Sequence, residues 1–92
     1  MRYHAGSRFG LCEEKQSYIF WMCRNIDRLS PRRQKTIRKM IEDCADGEEE
    51  ALTEALCTGK SLCQVAMQRY TSEAGLQRRC EKFYKKAEKV LL

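Results

Sequence analysis

A single proline and five glycines leave few places in this 92-residue chain where a helix is forced to stop. No alternating run of β-branched residues is present to build a half-buried strand, and the charged residues are mostly long side chains that favour helices. These absences point to an all-α fold. No stretch is long or uncharged enough to cross a bilayer, and the first ten residues lack the apolar run of a secretory leader. A cytoplasmic protein without membrane contact is therefore expected. The only histidine, His4, falls in that opening segment, no Cys-x-x-Cys pair occurs, and no glycine-rich phosphate loop or base-paired nucleophile can be found. Bound metal, cofactors and catalysis are not expected.

Six cysteines are many for a chain of this size. In a secreted protein they would suggest a disulfide framework, whereas in a reducing compartment a free cysteine behaves as a small hydrophobe. Cys12, Cys23, Cys44, Cys57, Cys63 and Cys80 have no metal-ligand spacing, and several stand at the core phase of predicted helices. Reduced thiols, reactive only on unfolding, are the expectation.

The formal charge of +5 divides unevenly along the chain. Residues 1–40 hold ten Lys or Arg against three acids, residues 41–58 hold seven acids and no base, and residues 59–92 hold eight bases against three acids. Two basic regions flank an acidic one. Such a polarised surface suits a polyanion, nucleic acid being the commonest, although solvated helix faces give the same pattern.

Residues 1–10 show no periodicity and read as a flexible arm, with Arg2 and Arg8 able to follow phosphate; residues 11–92 read as one helical domain. Over residues 12–29, Cys12, Ile19, Met22, Cys23, Ile26 and Leu29 share a helical face that should be core. Phe20 and Trp21 fall beside it, as extra packing or as a partner contact. Ser30 and Pro31 then form an N-cap and first helical position. The helix they open buries Ile37, Met40, Ile41 and Cys44 and turns Arg32, Lys35 and Lys39 outward as candidate phosphate contacts.

Asp46 and Gly47 break that helix. Glu48, Glu49 and Glu50 suit the first turn of a short helix that would bury Leu52, Ala55 and Leu56, stop near Gly59, and face away from any nucleic acid. Ser61 and Gln64 have capping-box spacing for a further helix, with Leu62, Val65, Ala66 and Arg69 on one face. A turn follows at Tyr70 and Thr71, and Ser72 caps a last helix with Glu73 in its first turn.

That last helix, over residues 73–91, places Leu76, Cys80, Phe83, Ala87 and Val90 on one face at about 100° per residue. Ala74, Arg78, Lys82, Lys85 and Lys89 collect opposite. A helix anchored by one side and presenting Arg and Lys on the other can enter a major groove, where Arg pairs with guanine edges, Gln77 could read adenine, and Lys neutralises phosphate. The same helix alone could equally be an ordinary exposed one.

Together, residues 61–84 resemble the helix-turn-helix of sigma factor region-four-like regulators, including small regulators of phages and conjugative elements of Firmicutes. Ala66, preceded by Val65, matches the alanine that packs the first helix against the second; Leu76 matches the apolar residue that locks the reading helix; Ser72 matches the serine that opens it. Residues 18–34 are similar in layout to the aromatic-rich helix and following Leu-Ser/Pro-x-x-Arg helix upstream of that motif. Three positions depart from it. Tyr70 stands where glycine is common, Arg79 where an apolar residue is frequent, and Gly75 interrupts the helix at about 1 kcal/mol relative to Ala.

The resemblance implies a four- to five-helix domain ending in a helix-turn-helix with a long basic last helix. Its implied function is a transcriptional regulator of a mobile element, bound to double-stranded DNA at the nucleoid. Ser72, Ala74, Gln77, Arg78, Lys82 and Lys85 would contact DNA, with Arg32, Lys35 and Lys39 on phosphates. One small reader gives limited specificity, so a homodimer or RNA polymerase is the expected second partner, with Phe20 and Trp21 the residues for that contact. The alternative is a non-enzymatic interaction module that binds an acidic protein or RNA polymerase without touching DNA.

Overall fold

The computed structural model describes residues 13–58 and 60–91. The arm over residues 1–10, Cys12 and Gly59 lie outside the described residues. Five α-helices follow one another, and no strand occurs among the described residues: α1 (Glu13–Arg24), α2 (Pro31–Ala45), α3 (Glu49–Cys57), α4 (Leu62–Gln68) and α5 (Glu73–Leu91). The radius of gyration, 12.1 Å, matches the value of about 12 Å expected of a chain this long when folded into one packed body.

Each boundary has a local cause. The periodicity predicts a first helix running through Leu29, but α1 ends at Arg24 and a 3₁₀ turn over Ile26–Arg28 takes its place. The break comes at Asn25, which leaves helical backbone (φ −117°, ψ 32°) while its side-chain amide donates to Trp21 O at 3.0 Å; Ser30, before Pro31 and N-cap of α2, is extended (φ −61°, ψ 152°). Ser30 Oγ then accepts from Arg33 N at 3.3 Å, and the Gln34 side-chain amide donates to Leu29 O at 2.9 Å, fastening the connection. α2 stops where Asp46 (φ 50°) and Gly47 (φ 90°) turn left-handed. Gly47 meets open space, so backbone conformation rather than crowding calls for glycine there. α3 ends with Thr58 as its C-cap.

The core follows the predicted phases. Ile19, Met22, Cys23 and Ile26 meet Ile37, Met40, Ile41 and Cys44 of α2, Leu52, Ala55 and Leu56 of α3, Leu62 and Val65 of α4, and Leu76, Cys80, Phe83 and Ala87 of α5 in one cluster. α2 and α5 make the most extensive pair, and α4 rests on α3 and α5. Leu29 is only partly buried against the cluster. Val90 is a correction: it is 52% exposed, whereas Leu91 after it packs partly buried against the cluster, so the buried stripe is centred toward Tyr84 and Leu91 and leaves Val90 at its outer edge. Tyr84 fills its role instead, buried and edge-on to Phe83 at 6.2 Å.

The cysteines are mixed in environment. Cys23, Cys44 and Cys80 are buried free thiols, and burial pushes the Cys23 thiol well up. Cys57 is half-buried and Cys63 is exposed, so the expectation that every thiol hides in the folded state fails at Cys63. No helix among the described residues is long and apolar enough to cross a membrane.

Candidate nucleic-acid interface

The connection between α4 and α5 is built around one unusual residue. Arg69 caps α4, and Thr71 N donates to Ala66 O at 3.0 Å, closing the chain as a Schellman turn. That closure requires left-handed backbone at the residue between them, which is Tyr70 with φ 55°. Side chains other than glycine lose about 1 kcal/mol there through the approach of Cβ to the carbonyl. The motif departure noted at Tyr70 is thus a glycine conformation occupied by tyrosine.

Acids of α3 hold this turn in place. Arg69 Nε donates to Glu54 Oε2 and Arg69 NH1 to Glu50 Oε2, both at 2.8 Å. Lys60 closes on the other oxygen of Glu54. Hydrogen bonds from Lys60 and then Arg69 keep the Glu54 carboxyl below its ordinary value. The Thr71 hydroxyl donates to Glu48 Oε2 at 2.6 Å. The acidic segment thus pins the base of the α4–α5 turn.

Beyond the turn, Ser72 Oγ accepts from Gly75 N at 3.2 Å and opens α5. Gly75 is buried, and a Cβ on it would stand 3.0 Å from Arg79 NH1. Its absence lets the Arg79 guanidinium lie across the first turn, where Nε donates to Ala45 O at 2.9 Å and NH1 sits 3.5 Å from Glu48. The two departures at Gly75 and Arg79 are therefore one arrangement. Farther along, Lys86 bridges to Asp43 at 3.1 Å, and Lys15 of α1 reaches Glu88 at 3.7 Å on the other side. Both flanks of α5 are tied down.

What remains outward is the crest. Ala74, Arg78, Lys82, Lys85 and Lys89 are all exposed. Arg78 and Lys82 form no ion pair among the described residues, whereas Lys85 lies 3.6 Å from Glu81 one turn back. Arg78 and Lys82 line a cleft of ≈ 560 Å³ together with Tyr70, Thr71, Ser72, Gly75 and the paired Arg79, closed on the far side by Asp46 and Glu48. Gln77 is half-buried on the flank and does not line it.

The predicted phosphate set of α2 is exposed too, at Arg32, Lys35 and Lys39, but it is not part of this cleft. The contacts Ala45 with Arg79 and Asp43 with Lys86 set the end of α2 beside this part of α5. Arg78 therefore sits beside the end of α2, and Arg32 lies in the first turn of that helix. At ~1.5 Å of rise per residue the two are separated by roughly 20 Å. The structure supplies two separate cationic stations.

On α1 the aromatic pair divides. Phe20 is half-buried with the Arg24 guanidinium 5.5 Å from its ring centre, while Trp21 is 51% exposed. Tyr18, one helical turn earlier and nearly as exposed, shares the face of Trp21. Sequence reasoning missed it, although its spacing of three from Trp21 carried the signal. No group of His, Cys, Asp or Glu that could hold a metal ion occurs among the described residues. Searches against protein-family models, curated proteins and solved structures found no match to this chain.

Proposed function

We propose that this chain is a non-enzymatic DNA-binding protein, a transcriptional regulator of a mobile element, that reads the major groove with α5. The observation that carries the reading is the contrast around that helix. One side is buried, both flanks are tied by Arg79, Lys86 and Glu88, and the side left over presents Arg78 and Lys82 without ion partners among the described residues. At 19 residues, α5 is roughly 28 Å long, and a groove about 12 Å wide admits such a helix. The α4 to α5 layout, with Ser72 as cap and Ala66 and Leu76 buried, supports the resemblance to helix-turn-helix regulators.

In this mechanism Lys82, Lys85 and Lys89 lower the cost of approaching phosphate, and Arg78 presents its fork to a guanine edge. Arg32, Lys35 and Lys39 meet backbone farther along the duplex. Asp46, exposed on the rim of the cleft, repels phosphate and restricts the register in which Arg78 can enter, which favours specific over indiscriminate binding. Gln77 takes a supporting place at the groove edge.

Selection of bound sequences from a random duplex pool tests the reading. An enriched motif is expected, with binding that weakens steeply as salt rises. Recovery of no motif would shift the weight to the second reading, favoured by the exposed Tyr18 and Trp21 on α1: a module that docks on an acidic protein or on RNA polymerase. Under that reading Trp21→Ala abolishes partner capture while Arg78→Ala leaves it intact.

A further inference from the structure

Among the described residues, two other than glycine have positive φ, Asp46 and Tyr70, and both line the cleft that holds Arg78 and Lys82. Asp tolerates left-handed backbone; tyrosine is strained by it, and glycine would close the same Schellman turn without that strain. Packing does not repay the strain. The Tyr70 side chain is 96% exposed, and it makes no hydrogen bond, ion contact or ring contact with any described residue. A large aromatic group is thus held out from the fold at a cost, on the rim of the site and next to the first turn of α5. The bonds of Arg69 and Thr71 hold the turn, but a glycine would be held equally well; among the described residues the tyrosine side chain itself offsets none of the strain, which marks a position serving an outside contact.

We propose that Tyr70 is a DNA-contacting residue that sets affinity and local base preference, an assignment that rests on α5 being the reading helix. Its ring packs against the sugar or a thymine methyl at the groove edge beside the base met by Arg78, and its hydroxyl donates to the adjacent phosphate. The unpaired cations in the same cleft favour DNA over a protein as the occupant. The left-handed backbone aims the ring: the turn that costs stability is the one that projects it past Ser72 toward the duplex.

The test compares wild type, Tyr70→Gly and Tyr70→Phe by thermal unfolding and by binding to a labelled duplex that wild type has selected from a random pool. Tyr70→Gly should melt about 4 °C higher, since the strain is gone, yet bind about tenfold more weakly. Tyr70→Phe should melt as wild type and bind about threefold more weakly, having lost the phosphate contact alone. If Tyr70→Gly melts lower, the ring is structural and the proposal is overturned. If it melts higher but binds DNA undiminished, the ring serves a protein partner and the proposal is equally overturned, while the Arg78 reading stands. Failure of wild type to select any duplex would sink the α5 reading and this assignment together.

Discussion

Arg78 and Arg79 are neighbours in the chain and end in opposite circumstances. Arg79 turns into the seam between α5 and the α2–α3 connection, where its guanidinium meets Ala45 O and Glu48 over a glycine that makes room for it. Arg78, a hundred degrees round the helix, lines the same cleft as Arg79 but has no ion partner among the described residues. The difference extends to whole regions. The seam and the α3–α4 clamp consume their cations internally at Arg69, Lys60, Arg79 and Lys86, whereas the crest of α5 keeps Arg78 and Lys82 open. Net charge treats these groups alike. Helical phase and pairing separate the cations that hold the fold from those available to a ligand.

Substitutions on the two sides should therefore have different readouts. The largest effect is expected beneath the crest: Phe83→Ala empties a fully buried site and should cost about 3–5 kcal/mol in urea or thermal unfolding, enough to unfold a domain of this size. Arg79→Ala should lower stability by about 1–2 kcal/mol through loss of the seam contacts. Loss of DNA binding at unchanged stability in that variant would erase the contrast with Arg78.

The clamp predicts an acid-side signature. Because Lys60 and Arg69 hold the Glu54 carboxyl below its ordinary value near 4.5, its contribution is complete above that value and is lost as pH falls through the lower folded value. Unfolding followed from pH 6 downward should show wild type losing stability that Glu54→Gln, already without the charge, does not lose. Parallel pH profiles would show that the clamp is not coupled to folding. The smallest effect belongs to the distant station: Lys35→Ala should leave the melting temperature unchanged, weaken binding to all duplexes alike, and reduce the slope of log affinity against log salt by about 1.

Much of this was readable from residues alone, and the exceptions share a cause. Caps and phases depend on nearest neighbours along the chain, so Ser30, Ser61 and Ser72 were found, as were the buried faces through Ile37, Leu52 and Leu76. The end of α1 was missed because the apolar spacing continues through Ile26 and Leu29 while the break itself is made by Asn25, whose side chain bonds back to Trp21 O. Val90 was placed on the buried face, but the stripe is centred toward Tyr84 and Leu91, and the apolar residues alone did not show which edge the opposing helices cover. The role of the acidic segment needed contacts 15 to 34 residues apart, from Glu54 to Arg69 and from Ala45 to Arg79, and no local pattern reports those. Tyr70 was flagged as a departure from a motif; its left-handed turn and full exposure required the three-dimensional closure of α4.

The central claim is that the open arginine reads DNA and the closed one does not. Measuring binding of Arg78→Ala to the duplex selected by wild type, alongside its melting temperature, addresses it most directly. The account predicts an affinity loss of about 1–3 kcal/mol, relaxed base preference at one position, and a stability change within about 0.5 kcal/mol. Specific binding that survives Arg78→Ala undiminished would contradict it.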